Sequence, residues 1–339
     1  MRIRAVEFPA KNHVVVLEEP LADSPLQPSE VLLQNEVTLI SAGTELARLA
    51  GIEPGMGFPA RPGYAAIGRV AAAGSAVADF NVGDRVFYAG KHCSAQRFEH
   101  GQSHQWGRLY PVPDDLAPED AVFVCLAQIA MIAPCVTQLD LHDTVAVFGL
   151  GIIGNLAAQL YQHMGARVIA LDPVPSRCEL ARAAGIATVL DVPPDQQIAA
   201  LKELTGGAGA HVTVDAAGHS AVVMNCINAT ALFGQVILLG TPRAALQGNL
   251  TDAFHAIHSN GLVVRGAHMW RIPAMDVREV KKTVAWSYRT LFDLMRNGVL
   301  NIAPLRSHCV PPEQAPLMYD GLRHHPDQFW GVVLDWRAH

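Results

Sequence analysis

A glycine-rich turn at the junction of an apolar strand and a helix constrains this chain more than any other feature. Gly149, Gly151 and Gly154 follow the apolar run Thr144–Phe148 and open the periodic stretch Ile152–Met164. The first glycine permits the tight turn, the second lets the backbone approach a pyrophosphate, and the third lets the helix pack closely on the strand. The phosphates would then lie at the N-terminus of the helix. This spacing predicts a dinucleotide site.

An acidic residue at the end of the next apolar run narrows the choice of dinucleotide. Asp172 follows Arg167–Leu171, where a carboxylate bonds a ribose 2′-hydroxyl and repels a 2′-phosphate. Asp172 therefore favours NAD over NADP. Arg177 offers a partner for a phosphate, but it also falls in a helix that Ser176 and Glu179 would open as a capping box. In that second interpretation Arg177 is an ordinary surface arginine.

The composition indicates a globular protein and argues against several partners. Of the 339 residues 50% are apolar and 17% are charged, and the net charge is −6. No cluster of Lys and Arg is present, so neither nucleic acid nor an anionic membrane surface is expected as a partner. The N-terminus lacks a signal-peptide core, and the longest apolar stretch, 121–136, is interrupted by Gln128 and Pro134 and is too short to span a bilayer. We expect a cytoplasmic protein with a small-molecule substrate.

The spacing of cysteines and histidines gives no metal site. The six cysteines include no C-x-x-C pair, which suits reduced thiols in a cytosolic protein and argues against structural zinc. Several of the 15 histidines fall between His92 and His104, yet no helical i, i+4 pair or short Cys/His clamp is complete there. These are interpreted as scattered loop histidines, and no metal ligand is predicted.

The pattern of predicted secondary structure changes near Pro118, which indicates two kinds of domain. Up to about residue 115, short strands alternate with Pro- and Gly-rich turns, which predicts an all-β module. Beyond it, six strands alternate with helices, which predicts an α/β domain with a doubly wound parallel sheet. A helical pattern over 277–298 and a terminal strand over 331–336 are expected to return to the first module. The predicted boundaries are 1–120, 121–270 and 271–339.

The order of several motifs resembles the medium-chain dehydrogenase/reductase superfamily. In chain order these are Ser41-Ala42-Gly43-Thr44-Glu45, Arg61-Pro62-Gly63-Tyr64, Val82-Gly83-Asp84-Arg85-Val86, the glycine turn, Asp215-Ala216-Ala217-Gly218 and Gly234–Gly240. The resemblance covers nearly the whole chain. It implies a GroES-like, β-barrel-type catalytic domain around a central Rossmann domain, an active site in the cleft between them, and hydride transfer between a nicotinamide and a carbonyl, an alcohol or an activated alkene. With the spacing argument above, the predicted cofactor-binding set is Gly149, Gly151, Ile152, Ile153, Gly154, Asp172, Arg177, Ala217 and Gly240.

The chain departs from the zinc-dependent members of this superfamily at the metal ligands. Those enzymes carry a Cys-Gly-Thr-Asp-like element and a Gly-His-Glu element, where this chain has Ala42 and Tyr64-Ala65 in place of the ligand residues. Cys125 matches a third ligand position, but one thiolate does not hold a zinc ion that needs three protein ligands. Cys93 is the one cysteine where the zinc enzymes have a four-cysteine lobe. The resemblance therefore implies a zinc-independent member, and the Ser-Ala-Gly-Thr-Glu and Pro-Gly-Tyr strings further resemble the group that includes bacteriochlorophyllide a dehydrogenase.

In the absence of zinc another group must bind the substrate oxygen, and the resemblance implies several candidates. Tyr64 stands in the place of a metal ligand, so its hydroxyl is predicted to donate to, or accept a proton from, the substrate oxygen; alternatively its ring only fills the vacated volume. Thr44 stands where relatives have a proton-relay hydroxyl. Glu45 stands where they have a carboxylate behind the ligands, with a helix-capping or salt-bridge role as the alternative. His92 and His104 lie in the segment that lines the cleft in relatives, and either is a candidate acid/base.

Two classes of function remain open at this point. The first is a zinc-independent NAD(H)-dependent oxidoreductase that interconverts an alcohol and a ketone or aldehyde by hydride transfer. Within the enzyme class, a quinone or enoyl reductase competes with it. The second class is a non-catalytic NAD(H)-binding protein.

The terminal strand of the predicted parallel sheet bears on assembly. Residues 262–268 are rich in β-branched side chains and flanked by glycine. This strand resembles the one through which relatives join two sheets edge to edge, and an uncovered edge strand invites such pairing. The expected assembly is a homodimer or a homotetramer.

Overall fold

The structure, a computed structural model, describes residues 1–52, 55, 57–242, 246–274 and 278–337. The chain divides into two compact units. Unit 1 comprises Met1–Cys125, Ala274–Arg296 and Leu305–His339, and unit 2 comprises Leu126–Pro273 and Asn297–Pro304. The short segment 297–304 thus belongs to unit 2, which the sequence patterns did not indicate.

The elements found in the described part of the chain are numbered in chain order. The strands are β1 (Arg2–Ala10), β2 (His13–Pro20), β3 (Glu30–Leu39), β4 (Ala66–Ala73), β5 (Arg85–Tyr88), β6 (Ala95–Glu99), β7 (Tyr110–Pro111), β8 (Thr144–Phe148), β9 (Arg167–Asp172), β10 (Val189–Asp191), β11 (Ala210–Asp215), β12 (Thr230–Leu238), β13 (Val263–Gly266), β14 (His308–Val310) and β15 (Val332–Asp335). The helices are α1 (Ala42–Leu49), α2 (Pro118–Ala121), α3 (Val124–Val136), α4 (Ile152–His163), α5 (Pro175–Ala183), α6 (Gln197–Leu204), α7 (Ser220–Ala229), α8 (Leu250–Ser259), α9 (Val284–Arg296) and α10 (Ala315–His324).

Unit 2 is built on a parallel sheet of six strands in the order β10-β9-β8-β11-β12-β13. Strand β8 is buried along its whole length, and Phe148 shares a core cluster with Ile169, Leu171 and Val236. The strand order runs outward from β8 in both directions, which is the doubly wound Rossmann arrangement that the sequence predicted. Successive strands are added on one side of β8 as far as β10 and then on its other side from β11 onward. Ligands of such sheets bind outside the carboxyl ends of the strands at this point of reversal.

Unit 1 contains a seven-stranded sheet and a two-stranded one. The larger sheet runs β14-β15-β3-β4-β5-β7, and β6 also pairs with β3; β1 and β2 form the smaller sheet. Strand β3 pairs antiparallel with β4, β6 and β15. Its inward side chains Val31 and Leu33 pack with Val70, Val86 and Tyr88. The predicted β-rich module is therefore present, and the end of the chain returns to it through β15.

The prediction of an all-β first module is wrong over residues 42–49, which form helix α1. Leu49 is buried in a cluster with Phe8, Ile40 and Tyr319, so tertiary packing stabilises a helix only eight residues long. Such a short segment, with Gly43 in its first turn, carries little intrinsic helix signal. The helix matters for function because it carries the Ser-Ala-Gly-Thr-Glu motif.

The capping box predicted at Ser176 and Glu179 is also wrong. Helix α5 begins at Pro175, its N-cap is Val174, and no side chain caps it. Proline is favoured at the first helical position because its missing N–H would be unpaired there. The Val174 N–H is instead bound by the Asp172 carboxylate at 2.9 Å.

The apolar stretch at 121–136 ends in helix α3. The expectation that this stretch is too short to span a bilayer is wrong, because Pro118–Val136 is long and apolar enough by length and composition, with a mean hydropathy of 1.7. However, 72% of that window is buried inside the protein. A mostly buried apolar helix is what the core of a large domain contains. Pro134 lies near the C-terminal end of α3.

We predict that mutation separates the role of Gly154 in helix packing from the role of Gly151 in the approach of a pyrophosphate. A Cβ at Gly154 would lie 1.8 Å from the Gly149 carbonyl oxygen, whereas no described atom lies within 4 Å of a Cβ at Gly151. Gly154→Ala should therefore lower the free energy of unfolding by roughly 1–3 kcal/mol through overpacking. Gly151→Ala is the matched control: it should leave the urea midpoint unchanged but weaken NADH binding, because its methyl group would lie where the backbone approaches the pyrophosphate. Equal urea midpoints for the two variants would contradict the packing argument.

Candidate active site

The glycine turn after β8 leaves the start of helix α4 open. Gly149 has a φ of +97°, which favours glycine, and α4 begins at Ile152 with Gly151 as an N-cap that gives no side-chain hydrogen bond. The backbone N–H groups of Ile152 and Ile153 belong to the first turn, which has no partners within its own helix. Together with the helix dipole they offer a phosphate-binding position. The predicted residues of this motif therefore fit a dinucleotide.

Asp172 is held at the edge of the same turn. Its side chain is 1% exposed, Oδ2 accepts the Leu150 N–H at 2.7 Å, and Oδ1 accepts the Val174 N–H at 2.9 Å. Because each carboxylate oxygen can accept more than one hydrogen bond, capacity remains for a ribose hydroxyl. Arg177 Nη1 lies 3.6 Å from Asp172 Oδ2, and its side chain is 41% exposed. Arg177 therefore offsets the negative charge on which discrimination against a 2′-phosphate depends.

The loops that follow β11 and β12 pack against the glycine turn. A Cβ at Gly149 would lie 2.9 Å from the Ala217 nitrogen, and one at Gly240 would lie 2.2 Å from the Gly218 nitrogen. Asp215 Oδ1 accepts the N–H groups of Ala217 and Gly218, each at 3.0 Å, and burial raises the pKa of this carboxyl. The structure thus brings the predicted cofactor residues of three separate motifs to the carboxyl edge of one sheet.

In unit 1, Tyr64 lies among other hydroxyl groups. Its Oη donates a hydrogen bond to Ser41 Oγ, and its half-buried ring packs edge-to-face on Trp106 at 5.3 Å between centroids. Burial and the neighbouring Cys125 raise the pKa of Tyr64 well above its usual value, although hydrogen bonds with Ser41 and Thr44 oppose this shift. Tyr64 therefore stays a neutral phenol at physiological pH. Such a group binds an oxygen through hydrogen bonds and is a poor base.

Behind this hydroxyl group lies a fully buried polar network. Glu45 and His92 are both 0% exposed, and His92 Nε2 lies 2.9 Å from Glu45 Oε2. His92 Nδ1 contacts Thr38 Oγ1 at 2.8 Å, and Tyr319 Oη donates to Glu45 Oε2. Burial alone would raise the pKa of Glu45, but the charge and hydrogen bond of His92 and hydrogen bonds from Tyr319 and the Ser41 N–H hold it below its usual value. Glu45 is thus an ionised carboxylate.

The predicted catalytic residues differ in how far they are exposed. Tyr64 and Thr44 are half-buried, whereas Glu45 and His92 have no exposed surface. Both ring nitrogens of His92 are engaged, which favours a positioning role over direct proton exchange with a substrate. Glu45 Oε1 accepts the Ser41 N–H at 3.0 Å and Oε2 contacts His92, so the contacts of the structural alternative are present. His104 is exposed and precedes a short 3₁₀ turn.

The side chains at the usual ligand positions do not fit a catalytic zinc ion. Ala42 and Ala65 offer no donor atom, and Tyr64 offers only the neutral phenol. Burial raises the pKa of the Cys125 thiol, so it is not the thiolate that zinc binds. Among the described residues no group of three or more His, Cys, Asp or Glu side chains is arranged to hold a metal.

Four residues of the network were not assigned from the sequence. Ser41 belongs to the Ser-Ala-Gly-Thr-Glu motif, and Thr38 is a polar residue between the apolar residues at the end of β3, so the local sequence could have indicated both. The local sequence could not have indicated Tyr319 and Trp336, because their hydrogen bonds to Glu45 and Thr38 join positions 274 and 298 residues apart. Only the folded chain brings them together.

Comparisons with known proteins agree with the fold. The family model for the alcohol dehydrogenase GroES-like domain matches residues 27–112, and the model for the zinc-binding dehydrogenase family matches residues 153–286. An uncharacterized zinc-type alcohol dehydrogenase-like protein of Haemophilus influenzae is 24% identical, with 97% of each chain covered. D-guloside 3-dehydrogenase of Escherichia coli is 27% identical over 78% of this chain and 75% of its own.

Solved structures share the complete fold. An Escherichia coli CFT073 short chain alcohol dehydrogenase in complex with NADH superimposes with a TM-score of 0.80 at 16% identity, covering 98% of this chain and 99% of its own. A mycobacterial protein in complex with NADPH gives a TM-score of 0.78 at 21% identity, with 98% and 99% coverage. The fold is therefore a parallel Rossmann sheet combined with a GroES-like domain, as predicted. The two complexes hold different nicotinamide dinucleotides.

Proposed function

Because the chain belongs to the alcohol dehydrogenase-like proteins of the medium-chain dehydrogenase/reductase superfamily, we propose that it interconverts an alcohol and a ketone or aldehyde with NAD(H) and without catalytic zinc. The observation that carries this proposal is the Tyr64 hydroxyl, which stands at a former ligand position beside Ser41 and Thr44. A hydroxyl cluster binds a carbonyl or alcohol oxygen through hydrogen bonds. Such bonds strengthen as negative charge develops on the oxygen during hydride transfer.

The residues of unit 2 would hold the dinucleotide, and Asp172 supports NAD(H). The Ile152 and Ile153 N–H groups would bind the pyrophosphate, and the Asp172 carboxylate would bind the adenosine ribose. When bound, the nicotinamide supplies or accepts the hydride. The chain's own contribution is to orient the dinucleotide and to bind the substrate oxygen.

A substrate panel tests the proposed reaction. Purified protein is assayed with NAD⁺ and alcohols, and with NADH and ketones, aldehydes, quinones or enones. We expect turnover with alcohols and carbonyls. Turnover confined to quinones or enones would identify the reductase alternative, and NADH binding without any turnover would identify a non-catalytic protein.

We propose that β13 pairs two copies of the chain and that the protein is cytoplasmic. Within the described residues β13 pairs with β12 alone, and Val263 and Val264 are 42% and 39% exposed. Phe233 and Phe254 add apolar surface in the same unit, at 82% and 64% exposure. An uncovered apolar edge invites pairing with a second copy. The location is supported by six free cysteines.

Light scattering tests the assembly. At micromolar concentration we expect the mass of a homodimer or homotetramer, because pairing would bury the exposed edge. Val264→Lys places a charge on that edge and should shift the mass toward the monomer. A monomeric mass for the unmodified chain would contradict the proposal.

Removal of one hydroxyl tests the role of Tyr64. Tyr64→Phe keeps the ring against Trp106 but removes the group that binds oxygen, so kcat should fall by about 10²- to 10³-fold while the NADH dissociation constant is unchanged. Tyr88→Phe is the matched control: it removes a buried hydrogen bond to Asn35 of 2.6 Å and should lower stability, not kcat. A Tyr64→Phe enzyme within about threefold of the parent, with chemistry rate-limiting, would make Tyr64 a space-filler.

A titration tests the cofactor preference. We expect NADH to bind more tightly than NADPH by roughly 1–3 kcal/mol, because a 2′-phosphate would face the Asp172 carboxylate. Arg177→Gln removes the cation 3.6 Å from that carboxylate and should widen the gap. Fluorescence titration with both dinucleotides measures it. Equal dissociation constants in the parent would show that Arg177 neutralises the discrimination.

A further inference from the structure

Ser41 occupies a helix N-cap without capping the helix. A serine at this position usually accepts a backbone N–H of the first turn, yet Ser41 makes no such bond at the start of α1. Its Oγ instead accepts the hydrogen of the Tyr64 hydroxyl. A polar residue diverted from a favourable local bond is typical of a functional site rather than of a stability device.

The position of Ser41 is fixed from the other side by the buried network. Its backbone N–H donates to Glu45 Oε1 at 3.0 Å. The second oxygen of that carboxylate is held by His92 at 2.9 Å and by the Tyr319 hydroxyl. Because all three side chains are buried, their arrangement fixes the Ser41 main chain firmly. The network therefore orients a serine that is itself 7% exposed.

The two hydroxyls have complementary free capacity. Tyr64 donates its one hydrogen to Ser41 Oγ, and beside the hydrogen bond with Thr44 its oxygen keeps capacity to accept one more. Ser41 has accepted that hydrogen, and among the described residues its own hydroxyl hydrogen finds no acceptor. The Tyr64 bond also polarises the Ser41 hydroxyl and makes it a stronger donor. Side by side, the pair offers one free donor and one free acceptor.

We propose that Ser41 is a second substrate-binding hydroxyl, which donates to the substrate oxygen while Tyr64 accepts from it. This inference rests on the proposed function and assigns its two oxygen-binding groups. A carbonyl oxygen, which can only accept, would accept a hydrogen bond from the Ser41 hydroxyl. An alcohol oxygen would accept the same hydrogen bond, and its own O–H would donate a hydrogen bond to Tyr64 Oη. One pair thus matches both the oxidised and the reduced substrate without a metal.

Two substitutions at Ser41 test this assignment. Ser41→Ala removes the donor, so kcat for carbonyl reduction should fall by about 10²- to 10³-fold, as for loss of one donor to a developing oxyanion, with the NADH dissociation constant unchanged. Ser41→Thr keeps the hydroxyl and should recover activity to within about tenfold of the parent. Ser94→Ala is the matched control, because Ser94 Oγ accepts the Arg4 N–H at 3.1 Å in the same unit and should not affect kcat.

A double variant separates a shared role from two independent ones. If Ser41 and Tyr64 bind one oxygen as a unit, Ser41→Ala combined with Tyr64→Phe should be little slower than either single variant. A Ser41→Ala enzyme within threefold of the parent, with a deuteride isotope effect showing that chemistry is rate-limiting, would overturn the inference, as would multiplicative losses in the double variant. Parent enzyme without turnover would instead overturn the proposed function, and the inference with it. Melting temperatures of all variants distinguish these losses from unfolding.

Discussion

The buried pair of Glu45 and His92 is the interaction on which the rest of the candidate site depends. Taking a carboxylate out of water is costly, and the pair recovers that cost only because hydrogen bonds from His92, Tyr319 and the Ser41 backbone all reach the same carboxylate. Breaking such a pair by removing one partner typically costs roughly 3–5 kcal/mol, while an apolar replacement of both is often neutral. Its retention in this unit is therefore better explained by what it positions than by net stability. What it positions is Ser41, and through Ser41 the hydroxyl of Tyr64.

Local patterns predicted much of the fold. The apolar run Thr144–Phe148 forms a strand with the same bounds, because a continuous apolar run bounded by turns leaves few other options. Helix Ala42–Leu49 was missed because packing stabilises it, with little help from its own propensity. The sequence predicted Tyr64 through its place in a motif but gave no sign of Tyr319, which reaches the site from a distant helix. Long-range hydrogen bonds carry no periodicity and cannot be predicted from one sequence.

In unit 2, too, the sequence predicted part of the candidate site and the structure supplied the rest. The glycine spacing predicted the turn, and the structure adds that the Asp172 carboxylate is already bound to two backbone N–H groups and faces Arg177. The Asp172 carboxylate therefore both stabilises the turn and bears on the choice of dinucleotide. Asp172 alone predicts only that NADH is preferred to NADPH, and the size of that preference depends on how far Arg177 screens the charge of the carboxylate.

Zinc content and turnover, measured on one preparation, test the central claim most directly. The Tyr64 hydroxyl lies beside those of Ser41 and Thr44, and the resemblance assigns Ala42 and Tyr64-Ala65 to the positions of the zinc-site residues in zinc-dependent relatives. We expect protein without stoichiometric zinc by elemental analysis to reduce a carbonyl with NADH, and treatment with a chelator to leave the rate unchanged. About one zinc ion per chain, lost to the chelator together with activity and restored by added zinc, would contradict it.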